Sequence, residues 1–402
     1  MKIPSMRIVA DENIPRAAEA FGTLGTVRTR PGRAIAPADV RDADVLLVRS
    51  VTPVGPDLLE GSAVRFVGSA TIGTDHIDRR YLREQGIAFA HAPASNADSV
   101  ADYVIAALLR LAVRRRTILR EKTVGIVGCG NIGGRLARRL PALGLEVLKN
   151  DPPSAEEAEA AGASHDFVPL DTVLNAADII TLHVPLTREG PHATHHLFDA
   201  ATLLKMKPDA WLLNTSRGSV VDNEELKAIV HSGFLGAVAL DVWEHEPTPD
   251  PDLLRRVDLA TPHIAGYAYD GKVRGTTMLY EALCDHLGVP TAWSPEQALE
   301  PEDGHPLAAV PPDPALPETE ALDHVARSMY DIVADDARLR AMLDAPSDER
   351  GAAFSRLRKE YPLRREFSRF VFPAGAIPAA LQAPIRDGLH ISPVFSADLV
   401  AY

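Results

Sequence analysis

Short apolar runs alternate along the chain with longer amphipathic stretches. Residues 6–10 (MRIVA), 44–50 (DVLLVRS), 64–70 (VRFVGSA) and 87–92 (IAFAHA) are brief apolar runs with aliphatic, β-branched or aromatic side chains, so each predicts a strand. Between them, 14–25 (IPRAAEAFGTLG) and 78–86 (DRRYLREQG) carry helical spacing. Residues 96–117 (NADSVADYVIAALLRLAVRRRT) predict one long helix, capped near Asn96 or Asp98 and ending in arginines, where the macrodipole favours cations. A second series of strands follows at 122–128, 145–151, 177–183, 209–216, 236–243 and 257–263. Strands that alternate with helices imply a parallel sheet covered on both faces. The expected fold is therefore α/β, with two doubly wound units in succession. A proline-rich stretch, 290–317, reads as a linker or long excursion; a helical pattern at 319–343 and an α/β-like tail follow it.

Composition narrows the function classes. A chain of 402 residues with 46% apolar side chains has material for two or three domains. The net charge of −13 argues against a general nucleic-acid binder and against a basic membrane-binding face. Two cysteines, Cys129 and Cys284, cannot build a disulfide framework, which favours a reducing compartment. The longest apolar segment, 104–113, contains Arg110 and is too short for a membrane span. A cytoplasmic protein without nucleic-acid or membrane partners is expected.

The sharpest motif is VGIVGCGNIGGRLARRL at 124–140, in which Gly128, Gly130 and Gly133 form G-x-G-x-x-G between a buried strand and a helix. In such a turn the first glycine allows the tight bend and the second lets the backbone approach a pyrophosphate. The third lets helix and strand pack closely. Asp151 ends the next strand, where a carboxylate accepts ribose hydroxyls and repels a 2′-phosphate, so the expected cofactor is NAD. The competing reading is a glycine-rich turn with no ligand.

Three later strands end in reactive groups: 212–222 in Arg217, 239–247 (ALDVWEHEP) in Asp241, Glu244, His245 and Glu246, and 259–267 (LATPHIAGY) in His263. Ligands of open parallel sheets bind beyond the carboxyl ends of the strands, so these groups converge there. An arginine, a carboxylate and a histidine suit the oxidation of a 2-hydroxy acid. The arginine fork holds a carboxylate, the imidazole takes the hydroxyl proton, and the carboxylate fixes the imidazole tautomer. Separately, Arg217 also fits a surface turn and His263 a core histidine. Metal binding by the acidic cluster competes, but adjacent His245 and Glu246 would diverge from an extended segment. His76 and His183 read as structural, and the basic residues of 111–117 as a solvated helix end.

Together GIVGCGNIG, LHVPLT, NTSRGSVVDNEEL, ALDVWEHEP and TPHIAGY resemble the D-isomer-specific 2-hydroxyacid dehydrogenases. VADENIP, VRSVTPV, GSATIGTDHID, GTTMLYEA and the tail from MYDIVADDARLR to REFS are similar to a branch of that family acting on a phosphorylated 2-hydroxy acid. The resemblance implies catalytic roles for Arg217, Glu246 and His263. It implies NAD contacts by Asn131, Ile132, Asp151, Val184, Thr215, Ser216, Arg217, Asp241 and Gly266, and substrate contacts by Ser50, Thr71 and Tyr267. Glu244 and His245 are left facing solvent. It further implies a substrate domain at 1–96 completed by 269–288, an NAD domain at 97–268, and a smaller C-terminal α/β dimerisation domain at 289–402, hence a homodimer.

The substrate's phosphate needs cations of its own. Arg49 lies beside Ser50, and the tail supplies Arg364 and Arg365, one or other of which is expected to reach the phosphate from a partner subunit. Another substrate, such as 3-phosphoglycerate, and a non-enzymatic NAD-sensing protein on the same fold are the alternative readings.

Overall fold

The computed structural model describes residues 6–300, 307–372 and 375–393. Part of the proline-rich stretch, 301–306, and the end of the expected α/β-like tail, 394–402, lie outside the described residues. The chain divides into two compact units, one of residues 1–96 with 268–305 and one of residues 97–267 with 306–402.

In the first unit, β1 (Met6–Asp11), β2 (Gly25–Arg30), β3 (Val45–Val48), β4 (Phe66–Ser69) and β5 (Ala88–His91) form a sheet of order β2-β1-β3-β4-β5. Every pair is parallel. The two-residue strand period sends Met6, Ile8, Ala10, Leu47 and Phe66 into the core on one face and Val9, Leu46, Val48 and Val67 into the other. Leu279, Tyr280 and Leu283 of helix Tyr269–Leu287 close the first of these cores. Strand β2 was not expected from the sequence. It is an edge strand whose single aliphatic side chain is Val27, and its Arg28 and Arg30 pair with Asp39 at 3.4 and 2.9 Å. Charge of this kind discourages further strand pairing at an edge.

The second unit holds β6 (Thr123–Val127), β7 (Glu146–Asn150), β8 (Ile179–Leu182), β9 (Trp211–Asn214), β10 (Ala237–Leu240) and β11 (Leu259–Ala260), ordered β11-β10-β9-β8-β6-β7 and parallel throughout. A single bridge between Lys149 and Phe167 extends the edge beyond β7. The strand order reverses between β6 and β8, the position at which doubly wound sheets open a ligand crevice.

The C-terminal residues share the cores of this sheet. Leu322, Val325, Phe367, Phe372 and Ile385 pack with helix Ala97–Arg115 and Ile126 on one face, and Leu339, Met342 and Phe354 pack with Leu182, Leu212 and Val221 on the other. A small parallel sheet of β12 (Leu307–Ala308), β13 (Phe370–Phe372) and β14 (Ser392–Pro393) belongs to the same unit. The helical pattern of 319–343 breaks into Glu318–Met329 and Ile332–Ala341. Tyr330 is extended, and Asp331 caps the second helix by accepting the Val333 amide at 3.2 Å. None of the described helices is long and apolar enough to cross a membrane.

Arg139 is one polar tie between the tail and the sheet's helices. It is buried, donates to Asp102 at 2.7 Å and to the carbonyls of Gly388 and Leu389 at 2.9 and 3.1 Å, while Asp102 also accepts the Phe367 amide at 2.9 Å. Burial drives the Asp102 carboxyl up to about 6, against the opposing Arg139 charge. Arg139→Ala removes the cation and strands this carboxyl, so guanidinium denaturation should show a loss of roughly 3 kcal/mol. An unchanged midpoint would contradict the role given to this pair.

Candidate active site

The glycine turn after β6 has the local geometry that a dinucleotide requires. Gly128 adopts φ +87°, and a β-carbon there would lie 2.8 Å from the His183 backbone. A β-carbon on Gly133 would stand 2.0 Å from the Gly128 carbonyl oxygen, so only glycine lets the following helix, Gly133–Arg139, seat against the strand. Gly130, by contrast, faces open space. Asn131 is exposed next to it, Ile132 is half-buried, and Val184 lies against Gly128. Asp151 stands beside the turn: one carboxylate oxygen accepts the Cys129 amide at 2.7 Å and the other accepts the Ser154 amide at 3.1 Å, capping helix Pro152–Ala160.

Beyond β9, the buried Asn214 shapes the turn that carries Arg217. Its side-chain oxygen accepts the Ser216 amide and hydroxyl at 3.0 and 2.8 Å, and its amide donates to the Arg217 carbonyl at 2.9 Å. Thr215 and Ser216 are buried, and the Thr215 hydroxyl meets His183 Nδ1 at 3.3 Å. Desolvation pushes the His183 imidazole down to about 3, so it stays neutral and serves the turn. Gly218 was missed in the sequence. A β-carbon there would sit 2.0 Å from the Trp243 carbonyl carbon, so this glycine allows the Arg217 turn to lie against the loop leading to Glu246.

Glu246 and His263 meet as expected, with Nδ1 to Oε2 at 2.8 Å. The other oxygen of Glu246 accepts the Trp243 amide at 3.0 Å. Burial works to raise the Glu246 carboxyl, but His263, the charge of Arg358 and the Trp243 amide hold it below its ordinary value. His263 has φ +58°, unusual for a side-chain-bearing residue. Asp241 imposes that bend. Its carbonyl accepts the His263 amide at 2.7 Å, and its carboxylate accepts Thr261 Oγ1, Ile264 N and Ala265 N at 2.7, 2.7 and 2.9 Å. A carboxylate has about four acceptor directions, and three of them are filled here.

Two expectations change. Glu244 is tied down rather than solvent-facing: it bonds His196 Nε2 at 2.5 Å and accepts the Asn223 amide at 3.1 Å, while His245 is exposed as expected. His195, His196 and Glu244 bring ligand-type atoms within 4.8 Å of one another. The two rings stack 4.0 Å apart at 21°, however, so their nitrogen lone pairs lie in nearly parallel planes, and His196 also faces Asp222 at 3.3 Å. Arg364 is the second change. It is buried in its own chain, lies 4.4 Å over the Tyr330 ring and donates to the Ala265 carbonyl. That contact supports the turn after His263, so its fork is not the expected phosphate contact from a partner subunit. Arg365 next to it is half-buried.

In the first unit, Arg49 and the exposed Ser50 follow the end of β3. Thr71 follows the end of β4, its hydroxyl meeting Ser69 Oγ at 2.7 Å and donating to the Gly73 carbonyl at 2.9 Å; His76 also meets Ser69 Oγ, at 3.0 Å. In the second unit, Gly266 and Tyr267 end the Asp241-held turn, with Tyr267 edge-on to Tyr361 at 5.7 Å.

Residues 103–265 match the family model of the D-isomer specific 2-hydroxyacid dehydrogenase NAD binding domain, and 305–376 match a domain of unknown function. An erythronate-4-phosphate dehydrogenase of Salinibacter ruber is 61% identical over 96% of this chain and 99% of that protein. Another, from Pseudomonas paraeruginosa, is 46% identical over 95% and 98%. The chain belongs to the erythronate-4-phosphate dehydrogenase family. Among solved structures, a D-lactate dehydrogenase from Aquifex aeolicus complexed with NAD and lactic acid matches at TM-score 0.57 and 25% identity, over 70% of this chain and 95% of that one. A protein from Thermus thermophilus matches at TM-score 0.60 and 26% identity, over 71% and 99%.

The family's cofactor is NAD, and the glycine turn fits it: an open position at Gly130 between two crowded ones, with the Asp151 carboxylate alongside. Gly130→Ala and Gly133→Ala should therefore part company. Gly133→Ala should lower the melting temperature by several degrees. Gly130→Ala should melt normally and bind NADH about tenfold or more weakly in a fluorescence titration. Equal NADH affinity in Gly130→Ala and the native protein would contradict this assignment.

Proposed function

We propose that this protein oxidises 4-phospho-D-erythronate to (3R)-3-hydroxy-2-oxo-4-phosphooxybutanoate, a step of pyridoxal 5′-phosphate biosynthesis. The observation that carries the reading is the His263–Glu246 pair at 2.8 Å at the carboxyl ends of the same sheet that bears the glycine turn and Arg217. The near full-length likeness to erythronate-4-phosphate dehydrogenases supports the choice of substrate.

Arg217 binds the substrate carboxylate through its planar fork and fixes the orientation of the reacting carbon. With Nδ1 occupied by Glu246, the imidazole of His263 presents Nε2 to the substrate's 2-hydroxyl and takes its proton. Glu246 carries negative charge to the far side of the ring and stabilises the imidazolium as it forms. The hydride leaving the same carbon would be taken up by bound NAD, which supplies the two-electron acceptor. Asp241 would accept from the nicotinamide carboxamide and Asp151 would hold the adenosine ribose. Ser50, Thr71 and Tyr267 are assigned as substrate contacts and Arg49 as a candidate cation for the phosphate. The protein acts as a cytoplasmic homodimer.

The test is a panel of substrates for the purified protein: 4-phospho-D-erythronate, 3-phosphoglycerate and unphosphorylated D-erythronate, with a 2-oxo acid present to reoxidise retained NADH. The phosphorylated erythronate should give a kcat/KM about 100-fold above either alternative. A higher value for 3-phosphoglycerate, or no turnover of any of the three, would overturn the reading.

A further inference from the structure

The C-terminal helix Arg350–Lys359 brings one more cation to the reaction centre. Gly351, Phe354 and Arg358 share a face of this helix by their spacing. A β-carbon on Gly351 would lie 3.1 Å from Thr248 and 3.5 Å from Pro247, so the start of the helix rests on the loop that follows Glu246. Phe354 is fully buried in the sheet's core and locks the helix in place. One turn further on, the Arg358 guanidinium lies 5.6 Å from the centre of the Tyr267 ring.

Arg358 is held there without being used up. Glu246 meets Arg358 through charge alone: its oxygens accept from His263 and from the Trp243 amide, and no hydrogen bond joins it to Arg358. The Arg358 Nε is buried and has no hydrogen-bond partner among the described residues. A desolvated donor without an acceptor is unfavourable, and a guanidinium is the side chain best shaped to satisfy a phosphate with two parallel donors. Arg364, six residues on, is the more deeply buried of the two: it donates to the Ala265 carbonyl and lies over the Tyr330 ring, although its Nη1 is likewise without a partner.

We propose that Arg358 is a specificity-determining residue that binds the phosphate of the substrate in the same chain. The inference rests on the substrate reading above and gives a role to the otherwise unassigned domain at 305–376. Arg217 then neutralises one end of the substrate and Arg358 the other, so a 2-hydroxy acid without the phosphate satisfies only the first.

The experiment compares kcat/KM for 4-phospho-D-erythronate and D-erythronate in the native protein, Arg358→Gln and Arg358→Lys. Arg358→Gln keeps much of the stem over Tyr267 and loses the charge; thermal melting reports whether each variant folds. The ratio of the two kcat/KM values should fall by at least about tenfold in Arg358→Gln, mainly through KM for the phosphorylated acid, and recover in part in Arg358→Lys. If both substrates lose activity in parallel, or the ratio is unchanged, Arg358 acts only through Glu246 or the fold and the proposal is overturned. The substrate reading fails separately, and takes this proposal with it, if the native protein does not turn over the phosphorylated acid.

Discussion

The carboxylate of Asp241 is 1% exposed and accepts three hydrogen bonds from Thr261, Ile264 and Ala265, residues of the turn beyond β11. A buried carboxylate is tolerated only when such donors replace its lost water, so the turn must close around it. The Asp241 amide donates to the Asn214 carbonyl at 3.0 Å, which joins β9 to the same knot. Tyr103 on the long helix meets Thr261 Oγ1 at 2.7 Å, and Trp243 Nε1 donates to the Thr261 carbonyl at 3.0 Å. His263 is left with a left-handed backbone and its ring against Glu246. The His263–Glu246 pair thus depends on a residue at the end of the preceding strand, β10, and replacing that carboxylate would release both.

The tail reinforces the same turn from outside. Asp336 accepts the Ala260 amide at 2.8 Å just before the turn, and Arg340 joins Asp336 to the carbonyls of Leu254 and Val257, each at 2.8 Å. Arg364 bonds the Ala265 carbonyl within the turn, and Tyr361 packs edge-on against Tyr267 while donating to Asp335 at 2.7 Å. A segment that satisfies buried backbone groups in this way is part of the folding unit of the sheet, and its loss would expose several of them at once. The C-terminal segment is therefore bonded to the turn that carries His263.

Much of this was legible in the sequence because it follows from short-range rules. Strand period, the strand–glycine–helix pattern and reactive residues at strand ends located ten of the eleven strands in the two large sheets, together with Gly128, Asp151, Arg217, Glu246 and His263. Edge strand β2 escaped because its outward positions are polar and its pairing is tertiary. Gly218 escaped because its need for a missing side chain arises from Trp243, far along the chain. The pairing of Glu244 with His196 spans 48 residues, and no local pattern announces it. Arg364 and Arg358 look alike in sequence, and each keeps one buried donor without a partner; Arg364 is buried under the Tyr330 ring and bonded to the Ala265 carbonyl, whereas Arg358 is only half-buried against Tyr267.

The central claim is that His263, bent by Asp241 and backed by Glu246, is the proton acceptor. Its most direct test is the rate of NADH formation in one turnover by His263→Asn, followed across pH. Asparagine tolerates the left-handed backbone at this position, so the turn is preserved while the base is lost. The account predicts a fall of about 10²- to 10⁴-fold, with NAD still bound and the pH dependence of the step flattened. A rate near that of the native protein, rising with pH as before, would place the proton acceptor elsewhere.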